Sequence, residues 1–138
     1  MKMKSAPLAE WPLFILLILA APSVKAQETG LLLVDIQQFY FPGGQWQLED
    51  PESAGMNAGI LLEEFRSHGL KVYHIRHSVE KGGDFHPYVK PQAGEAVISK
   101  QEINPFLSTR LEELLRADSI DRLVICGMQT HLCVEAAV

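Results

Sequence analysis

The segment Leu123-Val-Ile-Cys-Gly-Met-Gln-Thr-His-Leu-Cys-Val-Glu135 decides the fold class of this chain. Its apolar run, Leu123 to Cys126, is too short for a helix and does not alternate, which is how a strand buried on both faces reads. The run stops at Gly127, a short polar turn follows, and Thr130 is placed to cap a new helix. Cys133 then falls in the first turn of that helix, where unpaired N–H groups and the positive end of the macrodipole favour a negative atom. A thiol there is expected to be biased toward thiolate, the form that attacks carbon.

Working outward, three further strands are expected. Gly30-Leu-Leu-Leu-Val-Asp35-Ile is another continuous apolar run, residues 70–77 form a second strand, and Ala96-Val-Ile-Ser99 is a short third one that delivers Lys100 at its end. Between the first two, Asp50-Pro51-Glu52 supplies a cap, a proline for the first helical position and an acid in the first turn. Ala58, Leu61, Leu62 and Phe65 recur at helical spacing and Gly69 ends the run. Residues 78–94, with Gly82-Gly83, Pro87 and Pro91, form an irregular loop. Asn104-Pro105 starts a second helix with Leu107, Leu111, Leu114 and Leu115 on its buried stripe. Strands alternating with amphipathic helices imply an α/β fold, a three-layer α/β/α domain with a parallel Rossmann-like sheet, strand one central and right-handed connections.

Residues 1–26 read separately. Lys2 and Lys4 precede an apolar run from Leu13 to Ala21, followed by Pro22 and Val24-Lys25-Ala26, the parts of a secretory signal peptide cleaved after Ala26. The run is about half the ~20 residues of a spanning helix, so export to the periplasm or medium is expected, with membrane attachment only if the segment stays uncleaved. Residues 27–138 then form one domain. A net charge of −5 with scattered Lys and Arg carries no nucleic-acid signature. Cys126 and Cys133 are too few for a disulfide framework, and Cys126 reads as a small buried apolar residue.

In an open parallel sheet, ligands bind outside the carboxyl ends of the strands. Asp35, Lys100 and Cys133 all sit at or just past such ends, although they are far apart in sequence. Taken singly, each has a plain structural reading: a turn cap, a solvated charge and an inert thiol. Together they mark a candidate site.

Asp35-Ile-Gln37, Ile98-Ser-Lys100 and Gly127-Met-Gln-Thr-His-Leu-Cys133-Val resemble the isochorismatase-like cysteine hydrolase superfamily, from about Gly30 to the last residue. The resemblance implies Cys133 as nucleophile, Asp35 as general base and Lys100 as the cation between them, with the backbone N–H groups of Gln129 and Cys133 as oxyanion hole. In that family the peptide bond before the first donor, here Met128–Gln129, is cis. The implied reaction is hydrolysis of a C–N bond in a small amide, ureide or carbamoyl substrate, without metal or cofactor. A vinyl-ether hydrolase of isochorismatase type, or a non-catalytic exported binding module, are the alternatives. Partners are a small-molecule substrate and no nucleic acid, with a homo-oligomer left open.

Gln37, Phe39, Phe41 and His131 are candidate pocket residues, although Phe39, Tyr40, Phe41 and Trp46 can equally pack as core. Nicotinamidases in the family hold a metal through an Asp-x-His pair and a further His, but His74, His77 and Asp84-Phe-His86 match that pattern only approximately, so no metal is expected. Family members typically continue past the cysteine, so the domain reads as truncated at its C-terminus: a sequence fragment, a truncated product, or a subunit completed by a partner. The 138-residue chain alone is accordingly expected to be poorly stable or inactive.

Overall fold

The computed structural model describes residues 28–138, so the expected signal segment, residues 1–26, lies outside the described residues. The elements are β1 (Glu28–Val34), α1 (Pro51–Ser67), β2 (Lys71–His77), β3 (Ala96–Lys100), α2 (Leu111–Ala117) and β4 (Ile120–Gly127). All four strands pair in parallel in the order β3-β2-β1-β4, and Leu31 lies opposite both Val72 and Val124. β1 is therefore an inner strand, as its unbroken apolar run requires. The chain builds outward from β1 through β2 to β3, then crosses back to place β4 on the other side of β1. That reversal is the switch point at which open α/β sheets form a crevice.

Side-chain alternation sends the two faces into separate cores. Leu31, Leu33 and Val72 pack with Ala58, Leu62 and Phe65 of α1. Leu32, Val34, Tyr73, Ile75 and Ile98 pack on the opposite face with Leu111 and Leu115 of α2, and with Cys133 and Ala137 beyond β4. The result is a three-layer α/β/α sandwich with both faces of the central strand dry.

Three local expectations are corrected. Asp50 precedes α1 with φ +45 and makes no side-chain cap, so Pro51 and the first-turn acid Glu52 carry the start signal. The second helix begins at Leu111 rather than at Asn104, because Asn104 Oδ1 accepts from the Phe106 N–H (2.8 Å) and Thr109 Oγ1 from the Leu111 N–H (3.2 Å). These local bonds compete with helix, and Leu107 is left exposed instead of joining the buried stripe. After β4 the chain winds as a π-turn over Thr130–Val134, with the Val134 N–H donating to Gln129 O, and then a short 3₁₀ turn over Glu135–Ala137. Gln129 rather than Thr130 precedes that turn, without a side-chain cap.

Candidate active site

Each reactive side chain is placed by a strand end. Asp35 follows β1 with φ +52, an uncommon left-handed conformation for a residue with a side chain, and its N–H donates to Ile75 O at 3.0 Å. Lys100 ends β3, and Cys133 lies in the turn after β4. β4 ends at Gly127, where a Cβ would collide with the carbonyl oxygen of Val34, so only glycine fits so close to β1. The next peptide bond, Met128–Gln129, is cis.

Lys100 Nζ lies 2.7 Å from Asp35 Oδ2 and 3.3 Å from Cys133 Sγ, and also donates to Glu102 O at 3.1 Å. The side chains of Lys100 and Asp35 are 0% and 1% exposed. Their contact is a buried ion pair, and the same carboxylate faces the Cys133 thiol. A buried carboxylate beside a thiol is a proton acceptor in waiting.

Burial pushes the Cys133 thiol up, the Asp35 carboxylate adds to that, and the Lys100 ammonium pulls back without reversing it. The expected resting thiolate is thus corrected: in a five-residue turn, desolvation outweighs the helix-end field, and the proton must be removed by a base. No acceptor among the described residues receives the Gln129 N–H.

The pocket candidates divide. Phe39 and Phe41 are buried core, the first edge-on to Tyr40 and Trp46, the second stacked on His86 at 3.6 Å. Gln37 is bonded to backbone: its Nε2 donates to His77 O (3.0 Å) and Gly83 O (2.6 Å), and its Oε1 accepts from the His77 N–H (2.7 Å). It clamps β2 and the following loop to the end of β1 with both of its amide N–H groups spent. His131 is exposed and, with Gln129 and Thr130, lines a cavity of about 320 Å³ floored by Leu48, Pro51 and Ala54. A larger groove, about 750 Å³, runs over the outer side of α1 and includes none of the three reactive residues.

Tyr40, weighed from sequence as pocket or core, and His77, weighed as a metal ligand, both lie beside the reactive groups. Burial, then the charges of Cys133 and Asp35, push the Tyr40 phenol up to about 12, which places the ring in the field of both groups. His77 Nδ1 lies 3.5 Å from Lys100 Nζ. The pairing of β2 with β3 sets His77 opposite Lys100. The three histidines considered for a metal do not converge. His74 is buried against Glu95 (2.8 Å), His77 faces Lys100 and His86 stacks on Phe41. Among the described residues no group of three His, Cys, Asp or Glu side chains is gathered for a metal.

Comparison with known proteins identifies the family. The chain is 39% identical over 121 residues to the isochorismatase family protein YddQ of Bacillus subtilis, covering 80% of this chain and 67% of that one. It is 45% identical over 117 residues to a maleamate amidohydrolase of Pseudomonas putida, covering 81% of this chain and 46% of that one. The solved structure of an isochorismatase from Pseudomonas putida superposes with a TM-score of 0.72 at 30% identity, covering 79% of this chain and 60% of that one. The chain thus spans between about half and two thirds of the length of these relatives. With the Isochorismatase domain matched over residues 29–138, the chain belongs to the isochorismatase family.

Proposed function

We propose that the protein is a cysteine hydrolase that cleaves the C–N bond of a small amide, ureide or carbamoyl compound through a thioester on Cys133, without a metal. The observation that carries this reading is a single buried ammonium, Lys100 Nζ, set 2.7 Å from Asp35 Oδ2 and 3.3 Å from Cys133 Sγ at the switch point of the sheet. The 45% identity to a maleamate amidohydrolase supports an amide as the substrate class.

The chemistry follows from the groups present. Asp35 takes the thiol proton, and the electron pair left on Sγ forms a bond to the carbonyl carbon. Negative charge moves to the carbonyl oxygen, where the N–H groups of Gln129 and Cys133 receive it, each such donor being worth ~3 kcal/mol in other hydrolases. The C–N bond breaks as the amine nitrogen collects the proton from Asp35, leaving a thioester. Water then attacks the thioester carbon, Asp35 accepts a proton from it, and the acid product leaves as that proton returns to sulfur. Lys100 lies beside whichever group carries the single negative charge, the carboxylate before the proton transfer and the thiolate after it. Only water is consumed, so no cofactor is required.

The Lys2/Lys4 start, the apolar run and Val24-Lys25-Ala26 support export of the protein by a cleaved signal peptide. For the reaction, iodoacetamide and EDTA separate the mechanisms. Hydrolysis of a small-amide panel should stop once Cys133 is alkylated and persist in EDTA. Turnover by the fully alkylated protein, or a loss in EDTA that a divalent metal restores, contradicts the reading.

A further inference from the structure

Lys100 has more acceptors around it than protons to give. Its ammonium carries three N–H donors, yet four groups surround Nζ: Asp35 Oδ2 at 2.7 Å, Glu102 O at 3.1 Å, Cys133 Sγ at 3.3 Å and His77 Nδ1 at 3.5 Å. The fourth is the longest, so it is an acceptor held in reserve. Its position is not accidental to a loose side chain. His77 pairs in register with Lys100 across the β2–β3 ladder, and the Gln37 carboxamide engages both its N–H and its C=O. The imidazole therefore projects from a backbone fixed on two sides.

The protonation of that ring follows from its neighbour. An N–H on Nδ1 would aim a donor at a donor. A neutral ring with its proton on Nε2 is the one form that presents a lone pair to Lys100. We infer that His77 is a positioning residue for the hydrolysis, supplying through Nδ1 the acceptor that keeps Lys100 in place when Cys133 sulfur ceases to accept. The inference rests on the thioester reading above.

The need arises in the middle of the reaction. In the resting site Sγ takes one of the three N–H groups. The thiolate formed when Asp35 takes the proton accepts that N–H strongly, but once sulfur is bonded to an acyl carbon it carries no charge and accepts poorly, and one N–H of a residue only 2% exposed loses its partner. Leaving a buried donor unsatisfied is costly, and an ammonium free to rotate would draw away from Asp35 just as that carboxylate must activate water. His77 Nδ1, already adjacent, takes up the freed N–H while Asp35 and Glu102 hold the other two. His77 touches no reacting atom, so its effect runs entirely through Lys100.

The test compares two substitutions with the native protein on one hydrolysed amide, together with 15N NMR of the native imidazole. His77→Asn keeps an acceptor near the position of Nδ1, whereas His77→Leu keeps the bulk and removes it. His77→Leu should lower kcat roughly 10-fold or more at little change in KM, the loss expected for one unsatisfied buried donor, and His77→Asn should restore the rate to within about 3-fold of native. The NMR spectrum should show the ring proton on Nε2. Equal losses in the two variants, a change confined to KM, or a proton on Nδ1 overturns the inference while native turnover leaves the thioester reading standing. Absence of turnover in the native protein itself removes that reading and the kinetic role of His77 with it.

Discussion

Replacing Lys100 by methionine tests the site as a piece of electrostatics, separately from any substrate. The side chains of Lys100 and Asp35 are 0% and 1% exposed, so the pair is shut off from water. Methionine fills most of the lysine volume, so the change is mainly the loss of the charge that accompanies a buried carboxylate. Stranding one member of a buried pair costs about 3–5 kcal/mol, a large part of a net stability of about 5–15 kcal/mol. At about 4 °C or more per kcal/mol for a domain near this size, the melting temperature should fall by roughly 12 °C or more. Adding Asp35→Asn removes the stranded charge. The double variant should therefore recover about 2 kcal/mol relative to Lys100→Met, a non-additivity that urea unfolding at neutral pH would read as a coupling energy. A Lys100→Met cost below about 1 kcal/mol, or a double variant as unstable as the sum of the two singles, would refute the reasoning.

Other outcomes follow from residues around the site. Gly127→Ala should destabilise the fold by about 1–3 kcal/mol, because its Cβ would be driven into Val34 O and β4 must shift away from β1; an unchanged urea midpoint would contradict that close approach. Acid should loosen the α1–β2 contact in two stages. Burial pushes His74 below its ordinary 6.5, so stability present above that pH declines as the unfolded chain binds protons more readily below it. Burial raises Glu95, but Arg66, the Gln92 N–H and His74 outweigh it and bring it from 4.5 to about 2; its contribution is complete above 4.5 and is lost as pH falls toward 2. Glu95→Gln should flatten the urea midpoint between pH 4.5 and 2, and a slope equal to that of the native protein would show that Glu95 is not the titrating group.

Much of this architecture was legible in the sequence because it rests on patterns that do not need long-range detail. An unbroken run such as Leu31 to Val34 reads as a strand of a parallel sheet, and strand ends carry Asp35 and Lys100 to one edge whatever the loops do. What escaped depends on competition between local and distant partners. The leucines of residues 107–115 have helical spacing, yet Asn104 and Thr109 bond their own backbone and delay the helix to Leu111. Cys133 sits early in a helical turn, but burial and Asp35 decide its acidity, and neither can be read from spacing. Gln37, Phe39 and Phe41 follow Asp35 closely enough to suggest a pocket. Only the packing of His77, Gly83, Trp46 and His86 around them turns the first into a clamp and the others into core.

The central claim is that Cys133 becomes acylated. Acid quenching during turnover of a small amide, followed by mass spectrometry of the peptides, tests it directly. The account predicts an acyl group on Cys133, none on Cys126, whose half-buried thiol is pushed up to about 11 by burial, and no adduct or turnover after Cys133→Ala. Turnover that survives Cys133→Ala, or an acyl group trapped on any other residue, would contradict it.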